Sequence, residues 1–202
     1  MNALLGREVR DQLMDELPCG ARKYLDRGLS GDSDAAARLV GAAPNEVRGQ
    51  IAIAAYLLGV PNPGYQTIVD EVWNHDHQYL MHAAKDWDVC VRRVMAEAEF
   101  DVGHLPDTFV IWRGAGGCSI GEAAKGLSWT TDRDIACWFA LRFGHEPFVV
   151  LRATISRDDV IFASTYESEI IPRADVSAVV DGSESDWREG WERITQGRGH
   201  AT

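Results

Sequence analysis

Hydrophobic spacing changes once along this chain, near Gly103, and that change restricts the fold more than any other feature. Up to about residue 100 the apolar residues recur at helical intervals. Leu5, Val9, Leu13 and Leu17 are four apart and share one helix face. Asp32-Ser33-Asp34 offers caps for a short helix through Val40, which Gly41 can stop. Pro44-Asn45-Glu46 opens a helix over Val47–Leu58, closed by Gly59 and the turn cluster Pro61-Asn62-Pro63-Gly64. Another helix runs from Tyr65 to about Ala84, and Trp87, Val91, Val94 and Ala98 mark the stripe of one more.

Beyond Gly103 the runs become short, β-branched and aromatic. Asp107–Trp112 behind Pro106, Leu127–Thr131 and Phe148–Ile155 suit strands, as do Val160–Phe162, Ser168–Ile171 and Val176–Val180. One helix interrupts them, from about Asp132 to Phe143, before Gly144. A tail helix is expected where Trp187, Trp191 and Ile194 share a face. The pattern predicts an α+β protein: a helical region over residues 1–105, then a mainly β region over 106–202. A length of 202 residues accommodates one large domain or two small fused ones.

Charge and cysteine usage narrow the function. Lys+Arg number 20 against 31 Asp+Glu, a net charge of -11, and both halves share the acid excess. No basic stripe exists for a sequence-independent grip on nucleic acid or an anionic membrane, although a local cationic pocket remains compatible. The longest apolar run, Ile51–Val60, falls short of the ~18 residues a spanning helix needs. The N-terminus meets charge too early for a signal peptide. Cys19, Cys90, Cys118 and Cys137 include no CxxC pair, so a cytoplasmic protein with reduced thiols is expected. His75, His77 and His82 lack the i, i+4 spacing of a helical zinc pair, and no metal is expected.

Three constellations carry possible chemistry. The segment Arg113-Gly114-Ala115-Gly116-Gly117-Cys118-Ser119 fails as a dinucleotide fingerprint, because serine stands where the third glycine would fall. It fails as a P-loop because no Gly-Lys-Ser/Thr follows, so it reads as a flexible turn. Arg113 itself, at the end of an apolar strand, needs an anion: a phosphate held by its fork, or a structural Asp or Glu. In Glu167-Ser168-Glu169, strand alternation would turn both carboxylates toward one cavity and Ser168 away. Two like charges so placed suit a site that handles a cation; an edge strand with two solvated glutamates is the plainer alternative.

Taken in order, Trp112-Arg113-Gly114, Ser128-Trp129-Thr130 followed by Ala136-Cys137-Trp138-Phe139-Ala140, and Glu167-Ser168-Glu169 resemble a known signature. It is that of the ADP-ribosyltransferase superfamily, in the Arg–Ser–Glu class of cholera-toxin-like and arginine-specific enzymes of bacterial or phage type. The likeness spans about residues 106–180, and its middle motif departs from Ser-Thr-Ser at Trp129 and Thr130. It implies a core of two small, mainly antiparallel sheets that binds NAD as co-substrate in the cleft between them. It further implies that Arg113 grips a phosphate, that Ser128 orients Glu169, and that Glu169 stabilises the oxocarbenium-like transition state. Glu167 would position the acceptor. Gly114, Trp129 and Thr130 would line the NAD site, Arg142 would reach the second phosphate, and Tyr166 would meet the acceptor.

The resulting expectation is mono-ADP-ribosyl transfer to a macromolecule, with arginine side chains of a protein preferred. NAD glycohydrolysis, transfer to nucleic acid, and an inactive NAD-binding or interaction module are the alternatives. The helical region would cover the cleft, bind the target or dock an antitoxin or inhibitor protein.

Overall fold

The computed structural model describes residues 3–198, and the chain divides into two compact units, Met1–Glu99 and Phe100–Thr202. The boundary precedes the expected one because Phe100, Val102 and Leu105 belong to the second unit. Phe100 stacks edge-on against Phe162 at 4.8 Å, and Val102 and Leu105 pack on the sheet core.

Unit 1 is helical, with α1 (Ala3–Glu16), α2 (Cys19–Gly28), α3 (Ser33–Ala42), α4 (Asn45–Leu58), α5 (Gly64–Asp86) and α6 (Val91–Glu97). Val9, Leu13 and Leu17 are buried, whereas the side chain of Leu5 lies outside the described residues. Asp32 caps α3 by accepting from the Ala35 N–H at 2.9 Å, and Gly59, at φ 68°, closes α4 in the left-handed conformation. The α2 helix was not legible in the apolar spacing, and Trp87 ends α5 rather than opening α6. Helices α4 and α5 touch backbone to backbone: a Cβ on Gly49 would lie 2.2 Å from the Tyr79 carbonyl oxygen. Beside this contact Asp76 breaks α5 with φ -141° and receives Arg48 Nη1 at 2.6 Å, a buried carboxylate with its own counter-charge.

Unit 2 holds β1 (Thr108–Gly116), α7 (Ile120–Ala124), β2 (Trp129–Thr130), α8 (Arg133–Leu141), β3 (Phe148–Ser156), β4 (Val160–Ala163), β5 (Glu169–Pro172), β6 (Val179–Val180) and α9 (Glu184–Arg198). The strands form one antiparallel sheet in the order β4-β5-β2-β1-β3-β6. This corrects the expectation of two small sheets. The join is narrow, since β2 has two residues and meets β1 at the pair Trp112↔Thr130. On either side of this seam the pairing is firm, with β1 and β3 matched from Thr108↔Ser156 to Gly116↔Phe148.

Each face of the sheet has its own core. Ile111, Trp129, Leu151 and Ile170 pack with Ala123 of α7 on one face. On the other, Val150, Trp112 and the α8 residues Ala136, Cys137 and Ala140 meet Trp187 of α9. The Gly-rich segment is strand through Gly116, not the flexible turn expected. A Cβ on Gly114 would lie 1.7 Å from the Ala136 carbonyl oxygen, so glycine here lets α8 press on β1. Among the described residues, no helix is long and apolar enough to cross a membrane.

Candidate functional site

The seam between β1 and β2 gathers most of the residues singled out above. Arg113 lies within β1, three residues short of its end, and its guanidinium leaves the sheet on the α7 side. Its Nε donates to the Ala123 carbonyl at 2.8 Å and its Nη1 to the Ser128 carbonyl. These two donors go to backbone oxygens rather than to a carboxylate. Burial lowers the Arg113 pKa from its ordinary value, opposed by the charges of Cys118 and Glu169. The guanidinium is therefore held in a fixed position by two backbone oxygens, with the charge of Glu169 acting on it.

The segment that holds Arg113 was missed by sequence reasoning. A Cβ on Gly126 would lie 2.0 Å from Arg113 Cζ, so the guanidinium rests on the bare backbone of that glycine. The Ser119–Glu122 capping box starts α7, whose Ala123 carbonyl points at Arg113. The capping box was readable in Ser119-x-x-Glu122; the close approach at Gly126 was not, because it joins parts of the chain brought together by folding.

The glutamates do not share a strand. Tyr166–Ser168 forms a single 3-10 turn, with Glu167 at φ 53°, ψ 17° and Ser168 at φ 50°, and β5 begins at Glu169. Strand alternation therefore does not set Glu167 beside Glu169, because the two left-handed residues turn the chain between them. Both side chains are half-buried. Glu169 is paired in the ladder with Thr130, and Thr130 with Trp112, which packs on the α8 face. The Trp112 Nε1–H on this face is buried without a hydrogen-bond partner.

The remaining expected residues separate into distinct roles. Ser128 immediately precedes β2 and holds Arg113 through its carbonyl. Trp129 is a correction: its ring is buried in the core on the α7 face, with Nε1 donating to the Gly126 carbonyl at 3.2 Å, so it is a packing residue. Gly114 is likewise filled from behind by α8. Thr130 is buried, and its hydroxyl donates to the Glu167 carbonyl at 2.8 Å while accepting the Asp132 N–H at 3.0 Å. Arg142 is exposed at the end of α8, where it stacks over Trp138, Phe139 and Phe143 at 4.7, 4.3 and 4.4 Å. The side chain of Tyr166 lies outside the described residues.

Other candidates are quieter. Among the described residues no group of three or more His, Cys, Asp or Glu side chains could hold a metal ion. Burial pushes the Cys137 thiol up to about 11, which disfavours its thiolate. A cavity of about 160 Å³ in unit 1 is lined by Tyr56, Tyr65 and Glu97, but the Tyr65 hydroxyl is already spent on the Val94 carbonyl at 2.7 Å. No family model matches the sequence, and searches of curated proteins and of solved structures returned no match.

Proposed function

We propose that this chain transfers ADP-ribose from NAD to a macromolecular acceptor, arginine side chains of a protein preferred. The observation that carries the reading is Arg113: a cation oriented by two carbonyls and reached by the charge of Glu169, one ladder position from the Trp112–Thr130–Glu169 row. A charge held this way is set up for an anion that arrives from outside, and the pyrophosphate of NAD is such an anion.

In the proposed reaction the bond between the nicotinamide-ribose C1′ and the pyridinium nitrogen breaks, and its electron pair leaves with neutral nicotinamide. The ribose carries positive charge at that moment. Glu169, held by the β2–β5 ladder, would stabilise it electrostatically. A guanidine nitrogen of the acceptor then forms the new bond to C1′ and releases one proton. Glu167 pairs with the guanidinium and accepts or relays that proton.

Glu169→Gln tests the assignment most directly. The variant keeps shape and ladder but loses charge, so NAD consumption should fall by about 100-fold or more. Turnover at the unaltered rate, in a variant with an unaltered melting curve, would overturn the proposal. The left-handed turn at Glu167 favours a second reading, NAD glycohydrolysis, because no shared strand fixes the acceptor glutamate relative to Glu169. Incubation with NAD and cell lysate separates the two: an adduct on protein supports transfer, whereas free ADP-ribose alone supports hydrolysis.

A further inference from the structure

We infer that Thr130 decides whether the ADP-ribosyl group goes to an acceptor or to water, by holding the Glu167 turn rather than by touching NAD; this rests on the transferase reading above. The two glutamates are anchored differently. Glu169 is a ladder residue, paired through backbone with Thr130, and that pairing does not depend on the Thr130 side chain. Glu167 stands outside the ladder in a left-handed turn, a conformation that residues with a Cβ adopt reluctantly.

Contacts from β2 and from within the segment oppose the turn's tendency to relax; the Ser168 N–H donates to the Thr165 carbonyl at 3.4 Å and the Ser164 N–H to the Glu169 carbonyl at 2.9 Å. The Thr131 N–H donates to the Ser168 carbonyl at 3.0 Å, and the Thr130 hydroxyl donates to the Glu167 carbonyl at 2.8 Å. The hydroxyl also accepts the Asp132 N–H at 3.0 Å, so the residue ties the acceptor turn to the start of α8. Thr130 is 6% exposed, which keeps water from replacing the bond when the hydroxyl is removed. Loss of this hydroxyl removes one anchor of the Glu167 turn and leaves Glu169 in its ladder. Transfer, which needs Glu167, should then suffer more than bond cleavage, which needs Glu169.

The test uses the full chain, NAD and a free alkylguanidine as acceptor. Rates of adduct formation and of NAD hydrolysis are measured for Thr130→Val, which keeps shape without the hydroxyl, and Thr130→Ser, which keeps the hydroxyl. Amide exchange is followed over residues 164–169. We expect Thr130→Val to lower the transfer-to-hydrolysis ratio by about tenfold and to speed exchange in that segment, and Thr130→Ser to restore both. An unchanged ratio in Thr130→Val, or a serine variant that behaves like the valine variant, overturns the inference. Should Thr130→Val fail to fold, Ser168→Val and Ser168→Gly carry the test. Valine strains the left-handed position and should lower the ratio, whereas glycine fits it and should not; equal ratios overturn the inference. If the unaltered protein consumes no NAD, the transferase reading fails. The exchange measurement still judges the anchoring role of Thr130, which unaltered exchange in Thr130→Val would overturn.

Discussion

Each unit contains an arginine directed into its interior, and the two are satisfied in different ways. In unit 1, Arg48 meets the buried carboxylate of Asp76 at 2.6 Å where α5 kinks. In unit 2, Arg113 meets the carbonyls of Ala123 and Ser128. The first arrangement cancels charge and spends it on packing two helices. The second orients the charge with neutral backbone oxygens. The same residue type serves structure in one unit and is proposed to bind an anion in the other, and the partner atoms make the difference.

Substituting each arginine by methionine tests this contrast most sharply. Arg113→Met should reduce NAD consumption by about 100-fold or more, at a stability cost of about 1–2 kcal/mol for two carbonyls left without donors. Arg48→Met should cost about 3 kcal/mol in urea unfolding, because the Asp76 carboxylate stays buried without its counter-charge. If Arg113→Met unfolded the protein as severely as Arg48→Met while NAD turnover held, Arg113 would be a structural residue and the contrast would collapse.

Gly126→Ala probes the cradle without removing the charge. Its new Cβ would fall 2.0 Å from Arg113 Cζ, so the guanidinium must move. An increase of about tenfold in KM for NAD, with a smaller change in kcat, is expected from a displaced binding group. An unaltered KM would mean that the position of Arg113 does not govern NAD binding.

The smallest effect concerns a pair in which charge is again cancelled, this time within unit 2. Asp134 accepts from Arg193 Nε and Nη2, each at 2.6 Å, and these bonds hold its carboxyl below the ordinary value of 3.8. A lowered carboxylate pKa contributes stability that is complete above pH 3.8 and fades as pH falls through the lower folded value. Urea unfolding between about pH 5 and pH 2 should therefore show a smaller acid-dependent loss in Asp134→Asn than in the unaltered chain. The pair is part-exposed, so the difference should be slight.

Much of the architecture was legible beforehand because burial imposes a local rhythm. Val9, Leu13 and Leu17 had to share a face, and the run from Phe148 had to be a buried strand. The α+β order and the change of character near residue 100 followed from that rhythm. The caps at Asp32 and Asp132 were equally local, each accepting backbone N–H groups within its own helix.

The site was legible only as a set of residues. Arg113, Thr130, Glu167 and Glu169 stood out by type, but their relations arise from contacts between distant segments. The glutamates seemed to share a strand face by spacing; two residues at positive φ separate them. Trp129 read as a site residue because its neighbours did, yet pairing with Ile170 turns its ring into the core. One sheet replaced two because the single pair Trp112↔Thr130 bridges the halves. Spacing along a chain records which side of an element must leave water. It carries no record of which backbone will lie against Gly126 or which carbonyl will receive the Thr130 hydroxyl; those partners exist only once the strands have paired.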